Sequence, residues 1–319
     1  AMSLDGKMIA CATGERVKVY DLKTRHVQCV CEGHRSQIAG IAYSPASDVI
    51  ASLGIGDGAV ILWDATTGKQ LSAITLEHQG RSIEFLTDGR TIAVGLQGME
   101  IKLLDVQSGQ ESGTLSEGVR NGDWFISSLS VSSDGRLLAA AGSDKSVQLW
   151  DVEDRRLIKK YYDHTDEVRA VAFSADGNYL ATGGMDHRVI VRNVSTSRIV
   201  REFLPKHNEV LSLAFAPDGT SLASSGHAFE NIWDLRELPA EVVELETKGN
   251  RSRATLRFSP NGKRLAFANG IPQIWDPATG TRLHTFDHSG SIAVAYSPDG
   301  TTLATGGSRS IKIWDAESY

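Results

Sequence analysis

The residue types in this chain that could perform chemistry are histidine, a hydroxyl residue and aspartate, and they recur in the same order. Two segments contain all three types: His34, Ser52 and Asp57, then His164, Thr182 and Asp186. A histidine that takes a hydroxyl proton while an aspartate orients its ring is the arrangement of nucleophilic catalysis. A catalytic site would occur once, whereas this order is repeated. We therefore interpret these residues as scaffold.

The elements that must position these side chains form a repeat along all 319 residues. Each unit closes on an aromatic residue followed by Asp, or on a close relative of that pair, and successive closures are 39 to 46 residues apart. The closures are Tyr20-Asp21, Trp63-Asp64, Leu104-Asp105, Trp150-Asp151, Arg192-Asn193, Trp233-Asp234, Trp275-Asp276 and Trp314-Asp315. Such short units cannot bury a core alone, so we expect an array that is stable through packing between neighbours.

Residues 163–205 show the unit most clearly and predict a meander of four strands. The strands are expected at 168–173, 179–183, 189–192 and 198–204. Asp176-Gly177 supplies the positive φ that a tight hairpin needs between the first two. The same Asp-Gly or Asn-Gly pair recurs at Gly6, Gly89, Gly135, Gly219, Gly262 and Gly300. Apolar residues at consecutive strand positions predict sheets that are covered on both faces.

These residues resemble the WD-repeat β-propeller family over essentially all of 1–315. The matching features are a Gly-His type of dipeptide, the Asp-Gly hairpin, a strand of the Leu-Ala-Thr-Gly-Gly type and the closing Trp-Asp. The resemblance implies an all-β fold of four-stranded blades. It also implies that a histidine, a hydroxyl, an aspartate and the closing tryptophan form a buried chain. His34, Ser52, Asp57 and Trp63 are the one full set, and Arg192 replaces the tryptophan after His164, Thr182 and Asp186.

Five histidines occupy the position that the resemblance assigns to this scaffold: His34, His78, His164, His207 and His288. We expect all five to be architectural.

The count of strands favours eight blades in one domain, 1–319, with the closing blade incomplete. Residues 1–3 would be the tail of an eighth innermost strand, since the Ser3-Leu4-Asp5-Gly6 turn follows them. The alternative is seven blades, in which a strand at 25–31 closes the last blade and 1–21 is an appendage. We also expect the chain to be a fragment of a longer multidomain protein.

The charge and cysteine content of the chain limit the classes of partner and cofactor that we expect. The formal charge is -6, with 33 basic and 39 acidic residues and no polybasic run, so we expect neither nucleic acid nor membrane as partner. The three cysteines, Cys11, Cys29 and Cys31, match no metal-site spacing. We expect ordinary buried thiols in a reducing compartment, which favours the cytoplasm, and no cofactor or metal.

Breaks in the repeat are the candidates for binding. Trp124 is the one tryptophan outside the closing position, and it follows the longest loop, 117–123. An aromatic residue on such a loop either anchors a partner or seals its own blade edge.

Further candidates are charged residues on the corresponding loops, Arg81, Arg251, Arg253, Glu167 and Glu209, and apolar residues in the turns after the second strand, Met185 and Phe229. The mixed charges could bind a charged peptide. The alternative is an ordinary solvated loop face.

The leading functional expectation is a non-catalytic protein–protein interaction scaffold, acting as a regulatory or sensor module in signalling for an attached effector domain. Its partner would be a protein or peptide, including a neighbouring domain of the same chain. The alternative is an enzyme with a central-channel active site, which would need clustered His, Asp or Glu on inner strands. Nucleic-acid binding through the Arg251 loop is a third hypothesis, opposed by the net acidity.

Overall fold

The computed structural model describes residues 1–118, 122–204, 209–226, 229–236, 242–246, 255–307 and 310–318. All strand pairs in these ranges are antiparallel, and the described residues contain no helix. Nothing in the described ranges could therefore cross a bilayer as a helix. The chain divides into two compact units, Ala1–Asp163 and His164–Tyr319.

The first unit contains four sheets in which strands adjacent in sequence pair with each other. They are β1–β3, β4–β7, β8–β11 and β12–β15. The strands are β1 (Met8–Thr13), β2 (Arg16–Asp21), β3 (Val27–Glu32), β4 (Ile38–Tyr43), β5 (Val49–Gly54), β6 (Ala59–Asp64), β7 (Gln70–Thr75), β8 (Gly80–Phe85), β9 (Thr91–Leu96), β10 (Ile101–Asp105), β11 (Gln110–Leu115), β12 (Ile126–Val131), β13 (Leu137–Gly142), β14 (Val147–Asp151) and β15 (Arg156–Tyr161).

The second unit repeats this organisation with β16–β19, β20–β23, β24–β27 and β28–β30. The strands are β16 (Val168–Phe173), β17 (Tyr179–Gly184), β18 (Val189–Asn193), β19 (Ile199–Phe203), β20 (Ser212–Phe215), β21 (Ser221–Ser225), β22 (Phe229–Asp234), β23 (Val242–Glu246), β24 (Thr255–Phe258), β25 (Leu265–Ala268), β26 (Gln273–Asp276), β27 (Thr281–Thr285), β28 (Ser291–Tyr296), β29 (Thr302–Gly307) and β30 (Ile311–Asp315). The four strands β16–β19 lie within one residue of the bounds predicted from the sequence.

The eight sheets confirm the predicted all-β propeller class and its count of eight blades. The seven-blade alternative is wrong, because β1 and β2 pair with β3 in a sheet of their own. Met2 bridges Ile9, so residues 1–3 lie where an innermost strand of that sheet would run. In the described chain both the first and the last sheet have three strands, where the sequence predicted a single incomplete blade.

The glycine of each predicted hairpin has the left-handed backbone that the turn requires. Gly177, between β16 and β17, has φ of 71°. The side chain of Asp176 accepts hydrogen bonds from the Ser174 hydroxyl (2.5 Å) and from the Asn178 N–H (3.0 Å), which fixes the turn. Any residue with a Cβ would be strained at this φ. The sequence signal for these hairpins is therefore a direct consequence of backbone geometry.

The apolar cores lie between consecutive sheets of each unit. In the first unit, Leu53 and Leu62 of one sheet pack with Ile83 and Val94 of the next. In the second unit, Val191 packs with Leu213 and Trp233 of the following sheet. Burying such a side chain contributes roughly 1.5–3 kcal/mol. This packing confirms the prediction that consecutive apolar positions reflect sheets covered on both faces.

A bulge interrupts the pairing of the first two strands in several sheets, near the start of the first strand. Gly80 and Ser82 of β8 pair with Leu96 and Gly95 of β9, so Arg81 is the extra residue between them. Arg169 is the extra residue at the matching place in β16, where Val168 pairs with Gly184 and Ala170 with Gly183. A bulge re-aims the side chain that it carries. The two arginines therefore share one position in their respective sheets.

Candidate partner-binding site

Three buried side chains of the β4–β7 sheet and the half-buried Asp57 form the hydrogen-bond chain that the resemblance implied. The Asp57 carboxylate lies 2.8 Å from His34 Nδ1, and His34 Nε2 lies 2.7 Å from Ser52 Oγ. Trp63 Nε1 donates to the same hydroxyl oxygen over 2.8 Å. Ser52 is fully buried, so its hydroxyl cannot reach a substrate as a nucleophile would have to. The geometry is that of a scaffold.

Asp57 is held in its ionised form by its neighbours. Burial raises the pKa of this carboxyl. Hydrogen bonds from His34 and from the Arg35 and Ala59 N–H groups lower the pKa by more than burial raises it, so the net pKa lies below its ordinary value. A carboxyl with a lowered pKa in the folded state stabilises the fold above its unfolded pKa. That contribution is lost as the pH falls through the folded pKa.

We expect the Tm of Asp57→Asn to change less than the Tm of the wild type as the pH is lowered from 7 to 3. The Tm difference between wild type and variant should be largest at pH 7, where Asp57 is ionised, and should shrink below about pH 4 as the wild-type carboxyl is protonated. Thermal unfolding between pH 7 and pH 3 measures this difference. Asp48→Asn, at an exposed aspartate of the same sheet, is the matched control. A Tm difference that stays constant with pH would contradict the role given to Asp57.

The second chain of this type lies in the β16–β19 sheet and is shorter. His164 Nδ1 lies 3.0 Å from the Asp186 carboxylate, and His164 Nε2 lies 2.9 Å from Thr182 Oγ1. Arg192 occupies the closing position and donates to the Ser197 carbonyl instead. The three predicted residues are therefore together, and the missing indole ends the chain at the threonine.

Two sheets without a scaffold histidine satisfy the closing tryptophan from its own strand. Gln148 accepts from Trp150 Nε1 over 3.0 Å, and Gln273 accepts from Trp275 Nε1 over 3.1 Å. Both glutamines are buried and stand two residues before the tryptophan. Sequence reasoning missed them, although glutamine at that spacing was the available signal. Conventional hydroxyl acceptors remain elsewhere, at Ser224 for Trp233 and Thr305 for Trp314.

Lysine replaces histidine as the partner of the buried aspartate in the β12–β15 sheet. Lys160 of β15 lies 3.2 Å from Asp144 and 2.7 Å from Glu117, with both Lys160 and Asp144 almost fully buried. Glu117 begins the long loop before β12. The ammonium therefore joins the sheet to the loop that carries Trp124.

The expectation that His78 is architectural is wrong. Its residue is exposed, and no hydrogen bond from it occurs among the described residues. The closing position of this sheet is Leu104, and Val94 pairs with Lys102 where the other sheet pairs Ser52 with Ile61. With neither hydroxyl nor indole to satisfy, the sheet gives the imidazole no buried partner. His288 is buried and bonds to the buried Thr305 hydroxyl and to the exposed Ser310 hydroxyl, whereas His207 lies outside the described residues.

The side chain of Trp124 is partly covered by its own loop and partly exposed to solvent. Its side chain is packed close to Gly122, where an added Cβ would come within 2.7 Å of the indole edge, and 42% of the residue remains exposed. Its carbonyl accepts from the Gly98 N–H, and Gln97 Nε2 donates to Asp123 over 2.8 Å. The loop is thereby fixed to the β9–β10 turn. The tryptophan partly covers its own loop and leaves an indole surface available for contact.

Arg81 contacts Phe125, the residue that follows Trp124. The guanidinium is 3.9 Å from the centre of the Phe125 ring, a cation–π contact, and Arg81 is exposed. Phe125 follows Trp124 in sequence and bridges Gln97. Two of the sequence candidates, Arg81 and Trp124, are thus brought to one end of the sheets of the first unit. We call Arg81, Gln97, Trp124 and Phe125 the Arg81–Trp124 patch.

The second-unit candidates fall partly outside the described residues. Glu167 and Met185 adjoin, because the Met185 N–H donates to the Glu167 carbonyl over 2.8 Å. Glu209 precedes Val210, whose N–H donates to the carbonyl of Gly184. Arg251 and Arg253 lie outside the described residues, as does the side chain of Phe229. The binding roles of all these residues stay predictions.

The cysteines are free thiols. Cys31 is fully buried, and burial raises its pKa to about 12 and that of Cys11 to about 11, which disfavours the reactive thiolate. Cys11 and Cys29 are less enclosed than expected. Within the described ranges, no cluster of His, Cys, Asp or Glu could hold a metal ion.

Known proteins similar to this chain share its repeat. The family profile described as WD domain, G-beta repeat matches residues 25–64, 113–151, 155–193, 198–229 and 280–315.

Three curated relatives illustrate the range of similar proteins. WD repeat-containing protein 3 of Homo sapiens is 31% identical over 121 residues, which cover 38% of this chain and 12% of that protein. WD repeat-containing protein SL1-17 of Schistosoma mansoni is 31% identical over 144 residues, covering 45% and 46%. Cell division cycle 20.5, cofactor of APC complex, of Arabidopsis thaliana is 28% identical over 176 residues, covering 40% and 39%. Each match spans less than half of the relative's length.

Proposed function

Because the chain belongs to the WD-repeat family, we propose that it is a non-catalytic scaffold that binds a protein or peptide through the Arg81–Trp124 patch. WD-repeat proteins generally act as protein-interaction scaffolds, and one relative is described as a cofactor of the APC complex. The observation that carries the choice of surface is the exposed indole of Trp124, which precedes in sequence the Phe125 ring that Arg81 contacts. Tryptophan and arginine are the residues most enriched among binding hot spots.

The finer part of the proposal is a regulatory role for an attached effector in the cytoplasm. The free thiols support a reducing compartment. The enclosed Ser52 hydroxyl supports a non-catalytic role, since the residue types of a nucleophilic site are used here to satisfy a buried indole.

Site-specific crosslinking tests the proposed surface. A photoreactive phenylalanine at position 124 should capture a partner from lysate of the source cells that the same group at position 71 does not. Leu71 is an exposed apolar residue on β7, outside the patch, and is therefore a matched control. Equal capture at both positions would move the binding surface elsewhere.

Affinity for the captured partner gives the quantitative prediction. We expect Trp124→Ala to weaken binding of the purified partner by about thirtyfold or more, because truncating a central aromatic anchor typically costs about 2 kcal/mol or more. Leu71→Ala should leave the affinity unchanged. Isothermal titration of the two variants and wild type measures this. An unchanged affinity for Trp124→Ala would remove the patch from the interface.

A further inference from the structure

We propose that Arg81 is a receptor for one carboxylate, so that the partner of the Arg81–Trp124 patch is an extended peptide with an aspartate or glutamate next to an apolar side chain. This inference rests on the proposed interaction function and specifies its ligand. The guanidinium would take the carboxylate, and Trp124 would cover the neighbouring apolar group.

The second unit shows what an arginine at this position binds. Arg169 is the bulge residue of its sheet, as Arg81 is of its own, and it is ion-paired with Glu167, two residues before it. The residue two before Arg81 is Gln79. The backbones match, because the Gln97 N–H donates to the Gln79 carbonyl as the Met185 N–H does to Glu167, both over 2.8 Å. The first unit therefore has the arginine and the local backbone of this pair but lacks its carboxylate.

Arg81 is held ready for such a ligand. In the part of the chain that the structure describes it forms no ion pair, and its one side-chain contact of note is the Phe125 ring. Gly80 lets the strand approach the core, since an added Cβ would lie 2.9 Å from Leu53, and this fixes the backbone before Arg81. A guanidinium stacked on a ring keeps its N–H edge available for bidentate binding of a carboxylate.

The local charge favours a carboxylate over a phosphate. The described patch contains a single cation, and Asp123 stands two residues before Phe125 with one oxygen already bonded to Gln97. A dianionic group would meet one positive charge and this nearby negative one, whereas a carboxylate would neutralise Arg81 alone. Trp124 adds an apolar indole surface. In a peptide whose acidic residue is flanked by leucine or a similar residue, the apolar side chain would contact this indole.

The test uses capped pentapeptides with a central Glu beside one Leu, compared with the same peptides carrying Gln or phosphoserine instead of Glu. NMR titration of ¹⁵N-labelled protein follows the Trp124 indole N–H, assigned by its loss in Trp124→Phe, and the Arg81 Nε–H. We expect the Glu peptide to shift both signals and to bind at least about tenfold more tightly than the Gln peptide, since a charged hydrogen-bonded pair is lost. The phosphoserine peptide should bind no better than the Glu peptide.

Variants separate a carboxylate receptor from a general sticky surface. Gln79→Glu should weaken binding of the Glu peptide about tenfold although Arg81 itself is unchanged. The new carboxylate would pair with Arg81 as Glu167 pairs with Arg169. Arg81→Lys keeps the charge and should also weaken binding, since the stacked bidentate geometry is lost. Arg90→Met removes an exposed arginine at the other end of the β8–β9 hairpin and should change nothing.

Equal binding of Glu and Gln peptides, tighter binding of phosphoserine, or full binding by Gln79→Glu would each overturn the inference. Crosslinking from position 124 without any response to acidic peptides would overturn it as well, while leaving the proposed interaction surface intact. Failure of both experiments would remove the proposed function together with the carboxylate receptor.

Discussion

Replacing Ser52 by alanine is expected to lower the free energy of unfolding by about 3 kcal/mol, because one hydroxyl serves two buried groups. Trp63 Nε1 donates to Ser52 Oγ, and His34 Nε2 bonds to the same hydroxyl. The variant leaves both without this partner inside the sheet, where water cannot replace it. Urea denaturation followed by circular dichroism measures the loss.

Ser47→Ala is the matched control for this prediction. Ser47 is exposed in the hairpin of the same sheet, and in the described chain its hydroxyl bonds to the Ser44 hydroxyl. Its replacement should change stability by less than about 0.5 kcal/mol. If Ser52→Ala were as mild as Ser47→Ala, the four-residue chain would be incidental to stability.

Lys160→Met is expected to be at least as destabilising, by about 3 kcal/mol or more, since it removes the cation of the enclosed Lys160–Asp144 ion pair. Lys160 and Asp144 are 6% and 7% exposed, and the ammonium also holds Glu117. The same denaturation experiment measures the loss. Because Glu117 leads into the loop of Trp124, hydrogen exchange in that loop should also rise.

Lys102→Met provides the comparison for a more exposed pair. Lys102 is bound to Glu111 over 2.9 Å, and the glutamate side chain is 44% exposed, so water can solvate it after the change. We expect a loss of less than about 1 kcal/mol. Similar losses for the two lysines would show that burial of Asp144 does not govern the effect.

Much of the fold could be predicted because its signals are local. The Asp176-Gly177 hairpin, the run of strand residues on either side of it and the closing pair each depend on a few adjacent positions. Because these signals recur, a turn or strand that is unclear in one unit can be placed by comparison with the other units. The second unit's β16–β19 sheet therefore lies almost where the sequence placed it.

The polar interior was harder to predict because one physical requirement has several solutions. A buried indole N–H needs an acceptor, but Ser52 meets that need from a neighbouring strand and Gln148 from the same strand. An enclosed aspartate carboxylate needs polar partners, which His34 supplies from a loop and Lys160 from an outer strand. Matching by position alone found the first solution and wrongly extended it to His78.

The binding candidates were found as departures from the repeat, yet sequence gave no means of pairing them. Trp124 stood out by its loop, and Arg81 by its charge. The link is visible only in the structure, where the bulge residue Arg81 contacts Phe125, the residue after Trp124. Phe125 itself was missed, because an aromatic residue at the start of a strand is ordinary.

The glutamine acceptors have an evolutionary consequence. Where Gln148 satisfies Trp150 and Lys160 satisfies Asp144, the preceding loop no longer has to contribute a histidine to the interior. The histidine position of that loop is therefore free to vary, while Glu117 still ties the loop to Lys160. The Gln273 sheet fits the same pattern, since the sequence before it lacks the histidine and carries Arg251 and Arg253. In sheets whose buried polar groups are satisfied by their own strands, the preceding loop can change its residues without removing an interior hydrogen bond.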